Sequence, residues 1–105
     1  MSVVTVTALF PTEAEARTVG RTVVEERLAA CVNIGGPVQS IYHWQGAIEE
    51  AAEVAASFKT TADMADALIV RIAELHSYEV PCVFAEPVGK LLGSYADWVE
   101  DNVRR

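Results

Sequence analysis

The sequence is poor in the groups that usually announce a chemistry. Of its 105 residues only two are cysteine, Cys31 and Cys82, and two are histidine, His43 and His76. No CxxC pair and no HExxH occurs, so a closed structural zinc site is not expected. No GxxxxGK[ST] or GxGxxG loop is present to cradle phosphate, and no nucleophile elbow. Basic residues are few: eight Lys and Arg against fifteen Asp and Glu give a net charge of −7. Without a Lys/Arg run, so acidic a chain would repel a phosphate backbone, and nucleic acid is not an expected partner. No apolar run approaches the ~20 residues that span a bilayer. The opening "MSVVTVTALFPTEAEAR" lacks a positive n-region, and its apolar run is too short for a signal core. The expectation is a soluble cytoplasmic protein with no membrane partner. In that reducing compartment two thiols are more often buried or functional than joined.

What is present suits a packed domain. Apolar residues make up 51% and charged residues 22%, enough to bury a core within one domain spanning 1–105. "VVTVTALF" is β-branched, stops at Pro11 and reads as a strand. Thr12 and Glu15 form a capping box for a following helix. Its apolar face carries Ala16, Val19, Gly20, Val23, Val24 and the pair Arg27–Leu28. "ACVNIG" is a short strand, Gly35-Gly36-Pro37 a turn, and "QSIYHW" a second extended run. Ile41 and His43 lie on one side of that run, Tyr42 and Trp44 on the other. Gln45-Gly46 is a turn. "AIEEAAEVAASFKTT" favours helix by its Ala and Glu content, although its end can be a strand. "TADMADALIVRIAELH" is a helix capped by Thr61 or Asp63, with Ala65, Leu68, Ile69, Ile72 and Leu75 inward. "PCVFAEPV" is a strand between prolines. "SYADWVEDNV" is a last helix with Ser94 and Asp97 as its capping pair and Trp98, Val99 and Val103 on one face. If the ambiguous segment is a strand, the order is β-α-β-β-α-β plus a helix, the ferredoxin-like α+β plan.

Five short motifs, in order and at matching spacing, then line up with one family. "VEERLAACVNI", "SIYHWQG", "FKTT", "LHSYEVPC" and "YADWV" resemble the CutA divalent-cation tolerance proteins over essentially the whole chain. The resemblance implies a ferredoxin-like βαββαβ sandwich with a long central hairpin and an extra C-terminal helix. It makes Ala47 to Thr60 the hairpin's returning strand, against propensity. It also implies a tight homotrimer formed by edge-strand pairing, which would cover the edges of an open sheet. The family is associated with tolerance to divalent metals, copper in particular. Its architecture resembles the PII signalling proteins, which leaves a ligand-sensing role as the alternative.

The resemblance directs attention to "ELHSYEVPCV". His76 closes a helix. It is either a C-terminal histidine bonding a free carbonyl or an imidazole ligand for copper, zinc or nickel. Cys82 stands where family members generally carry an acid after Val-Pro. A thiolate there favours softer metals; a buried strand thiol is the structural reading. Cys31 has the same two readings. In a sheet ordered 4-1-3-2 the two cysteines sit on opposite edges, so His76, Cys31 and Cys82 form a metal-ligand set only across a subunit interface. Lys59 in "FKTT" is expected to face the same cleft with Tyr78 and Trp44, where a cation would attract an anionic ligand and oppose a metal. Tyr42, Trp44 and Trp98 also read as packing aromatics, and Glu49, Glu50 and Glu53 as a solvated acidic face. No obligatory cofactor is implied, and copper or another divalent transition metal is the ion in view. No base-and-orienter arrangement is legible, so an enzyme is not expected.

Overall fold

A computed structural model describes residues 2–104. Its elements are β1 (Val3–Phe10), α1 (Glu13–Glu25), β2 (Cys31–Trp44), β3 (Ala47–Thr61), α2 (Ala62–Leu75), β4 (Val83–Pro87) and α3 (Gly93–Asn102). This is the α+β ferredoxin-like βαββαβ sandwich with a further helix. The antiparallel sheet runs β2-β3-β1-β4, which leaves β2 and β4 as edges.

Strand alternation decides which residues enter the core. Val4, Val6, Ala8 and Phe10 of β1 face α1 and α2. With Ala56 and Phe58 of β3 they pack on Ala16, Val19 and Val23 of α1 and Leu68 and Ile72 of α2. Each fully buried Phe, Leu or Ile contributes about 1.5–3 kcal/mol. A second, smaller cluster joins Val3 and Ala30 to Val99 and Val103, so α3 closes one end of the opposite face. The rest of that face, through Thr5, Thr7, Ser57, Lys59 and Phe84, is only partly covered.

Helix α1 begins as expected, with the Thr12 hydroxyl accepting from the Glu15 amide at 3.1 Å. The Glu15 carboxylate does not complete the box, because it is spent on Ser77. The helix ends at Glu25 with Glu26 as its C-cap, and the positive φ of 60° at Arg27 then turns the chain. The Arg27 guanidinium donates to the Asp101 carbonyl at 2.9 Å.

Several readings made from local pattern change. Gly35-Gly36-Pro37 is no turn: β2 runs unbroken from Cys31 to Trp44, with a register irregularity between Ile34 and Pro37. A bulge absorbs the glycines and bends the strand without ending it. The Ala/Glu-rich segment is strand β3, as the family resemblance implies and its propensity does not. It pairs with β2 on one side and β1 on the other, so two ladders outweigh propensity. The N-cap of α3 is Leu92, with no side-chain cap bond, so Ser94 already lies inside the first turn. Trp98 stays 44% exposed while Val99 and Val103 turn inward. For α2, Thr61 holds the N-cap position, but its hydroxyl makes no cap bond.

The β2–β3 hairpin overreaches the body. β1 stops at Phe10 opposite Val54, and the pairs from Val38↔Glu53 to Trp44↔Ala47 continue as a two-stranded arm. Gln45 (φ 49°) and Gly46 (φ 83°) close it, and positive φ at both turn residues matches the twist of a tight hairpin. The arm accounts for a long axis of 45 Å against 26 and 22 Å.

Candidate functional site

The site is built where α2 gives way to β4. His76 leaves the helix in extended backbone (φ −75°, ψ 144°), and its ring goes into the core. Nε2 lies 2.7 Å from the Leu9 carbonyl, and Nδ1 accepts from the Tyr78 amide at 3.0 Å. That pattern fixes the neutral tautomer with its proton on Nε2, donated to Leu9. The ring stacks on Phe10 with centroids 4.7 Å apart and meets Tyr78 at 4.8 Å. Both nitrogens are therefore engaged, and a metal at either would first displace a protein hydrogen bond. Glu15 Oε2 stands 3.6 Å from Nδ1 and accepts from the amide and hydroxyl of Ser77, each at 3.0 Å. Together these bonds fix the start of segment 77–82.

Beyond that anchor, the Tyr78 hydroxyl donates to Glu53 Oε2 at 3.1 Å. Burial, then the bond to Glu53 and its charge, push the Tyr78 phenol up to about 12. Burial and the same carboxylate also raise the Cys82 thiol. Cys82 therefore rests as a thiol, a weak nucleophile and a poor ligand until deprotonated.

Segment 77–82 and the arm face each other across a cleft of ≈ 770 Å³. Its walls are Leu9 of β1, then Ser40, Tyr42, His43 and Trp44 of β2 with Glu53 of β3, and the run Ser77 to Cys82. The register explains the arm's share: Ser40, Tyr42 and Trp44 alternate onto the same face as Glu53. Among the described residues, no Lys or Arg lines the cleft.

Three of the six residues marked out by sequence, Tyr78, Cys82 and Trp44, thus share one cleft. His76 supports its wall from behind. Cys31 and Lys59 lie elsewhere, paired with each other in the β2–β3 register. Lys59 Nζ donates to Ser57 Oγ at 3.0 Å, and Cys31 Sγ is 3.8 Å from the Tyr95 hydroxyl of α3. Burial and then that contact raise the Tyr95 phenol. Among the described residues, no three of His, Cys, Asp and Glu converge in a set able to hold a metal ion.

With this fold and this junction, residues 2–102 match the model of the CutA1 divalent ion tolerance protein family. The chain belongs to the CutA1 family. It is 44% identical over 92 residues to the divalent-cation tolerance protein CutA of Thermus thermophilus, covering 88% of this chain and 89% of that one. The solved Thermus thermophilus structure superposes with a TM-score of 0.92 at 40% identity, covering 97% and 99% of the two chains. CutA from Xylella fastidiosa gives 0.94 at 34% identity, with 99% and 100% covered. CutA1 proteins carry the name of a tolerance function, and that divalent-cation tolerance family is the one this chain joins.

Two members of the site were not singled out from the sequence. Glu53, read as one of a solvated acidic run, is only 6% exposed, whereas Glu49 and Glu50 are exposed as expected. Reading the segment as a strand would have put Glu53 on the Tyr42–Trp44 face, yet nothing local predicts its burial under Tyr78. Glu15 was assigned to its own helix cap; its true partner, Ser77, is 62 residues away.

Proposed function

We propose that this CutA1 protein serves divalent-metal tolerance as a cytoplasmic homotrimer that binds copper or a related ion at sites shared between subunits, and that it is not an enzyme. One observation carries the shared-site reading: among the described residues a single subunit gathers no three-ligand set, while its two thiols stand toward opposite edges of the sheet. Cys31 opens edge strand β2, and Cys82 precedes edge strand β4. Edge-to-edge pairing of copies would bring such positions near one another. A thiol held protonated and a histidine with both nitrogens engaged argue against nucleophilic catalysis.

Equilibrium dialysis of reduced, chelator-stripped protein against copper and zinc, with light scattering for mass, tests the proposal. The expected result is a trimer with saturable uptake that falls in Cys31→Ser or Cys82→Ser. A monomer, or uptake indifferent to both substitutions, refutes it. His76→Ala is a poor probe, because that ring is part of the core.

A second reading, a PII-like module that binds a small molecule, is favoured by the cleft itself. Its size falls within the roughly 300–1,000 Å³ typical of ligand pockets.

A further inference from the structure

The cleft is electrostatically one-sided. Glu53 is almost fully buried, and a buried carboxylate is costly unless a cation answers it. Among the described residues, none that lines the cleft is a Lys or Arg. Tyr78 supplies one hydrogen bond, where a carboxylate has about four acceptor positions. Lys59, the cation that an anionic ligand would have required, is turned to Ser57 outside the lining. A bare metal ion is a poor answer to Glu53 within one subunit, since no three-ligand set exists among the described residues and the space far exceeds one ion. Three aromatic side chains, Tyr42, Trp44 and Tyr78, line the same cavity, and Glu79 adds a second carboxylate. Aromatic faces attract cations, and substituted ammonium groups most selectively, because carbon-borne charge is weakly hydrated.

We propose that this cleft binds an organic cation, a substituted ammonium or guanidinium group, with its charge against Glu53 and its carbon body against Trp44, Tyr42 and Tyr78. This deepens the small-molecule reading by setting the sign and class of the ligand, and it is independent of metal binding.

The test uses full-length protein in excess chelator, on a Trp98→Phe background so that Trp44 is the sole indole. Tetraethylammonium and methylguanidinium are titrated while Trp44 emission is followed, with citrate as the anionic probe. Saturable quenching by the cations is expected, and not by citrate. Glu53→Gln should weaken binding about tenfold or more, in line with loss of a charged hydrogen-bond partner. Cys82→Lys, at an exposed position, should do the same without touching the core. Saturation by citrate alone would keep the ligand cleft and overturn the cationic assignment. No saturation by any probe would overturn both. Emission that changes with protein dilution but ignores the cations would mean that a second copy fills the cleft, which also overturns the proposal. Cation binding unchanged in Glu53→Gln and Cys82→Lys would place it elsewhere and have the same consequence.

Discussion

His76 illustrates how one side chain can look like chemistry and act as architecture. Its ring joins α2 to β1 through Leu9, stacks on Phe10, and receives the Tyr78 amide that starts the cleft wall. His76→Ala removes both bonds and leaves a cavity, so urea unfolding should show a loss of about 2–4 kcal/mol. A loss below about 1 kcal/mol would contradict the anchoring role. Tyr78 gives a pH signature. Its phenol has a higher pKa folded, about 12, than the ordinary 10 of an unfolded chain. The folded state therefore holds more protons in that interval, and the stability tied to the neutral phenol is intact below pH 10 and lost as pH rises through about 12. Wild type should lose stability more steeply than Tyr78→Phe between pH 10 and 12, as read from denaturation midpoints. Equal slopes would sink the assignment. Glu26 works in the other direction: its bidentate bond to Arg71, 2.9 Å at each contact, holds its carboxyl below the usual range. The stability it adds is present at neutral pH and lost as pH falls through that lowered value.

At the scale of elements, legibility followed periodicity. β1, α1 and α2 were readable because their apolar residues repeat at two or at three and four, and most of those residues are buried, with Val24, Ile69 and Leu75 partly so. β3 was not readable from its own residues. Ala and Glu favour helix, and the two ladders that overrule them come from residues far away in sequence. The glycines of β2 misled for a related reason, since a bulge and a turn share composition and differ only in what pairs beyond them. In the site, Cys82 and Tyr78 were legible as neighbours on one short segment. The partnership of Glu53 with Tyr78 was not, because it depends on where β3 passes the end of β1. One helical glycine has a clear purpose. A Cβ on Gly20 would sit 2.9 Å from Val32 Cγ1, and valine's stiff χ1 leaves it little room to move. Gly20→Ala gains about 1 kcal/mol of helix propensity and loses about 1–3 to overpacking. Thermal denaturation should show net destabilisation, relieved when Val32→Ala is added. A Gly20→Ala protein more stable than wild type would refute the packing argument.

At the scale of the whole molecule, the arm sets the terms. Ile41 and Ile48 at its end are 67% and 68% exposed, and beyond Phe10 no third strand among the described residues supports it. A lone two-stranded ribbon is marginal in water. If copies of the chain supply the cover, as proposed, stability is shared by mass action and the melting temperature should climb with protein concentration. A melting temperature constant over a hundredfold dilution would count against that. The clasp at the opposite end bears on synthesis. The Arg27 guanidinium donates to the carbonyl of Asp101, the Arg104 amide donates to the carbonyl of Arg27, and Arg104 Nε donates to the carbonyl of Glu26. These bonds span 74 to 78 positions, so the end of the first helix stays unlatched during synthesis until residues 101–104 have emerged. A nascent chain stalled before residue 101 would carry that end open, a ready point for a protease or chaperone to engage it.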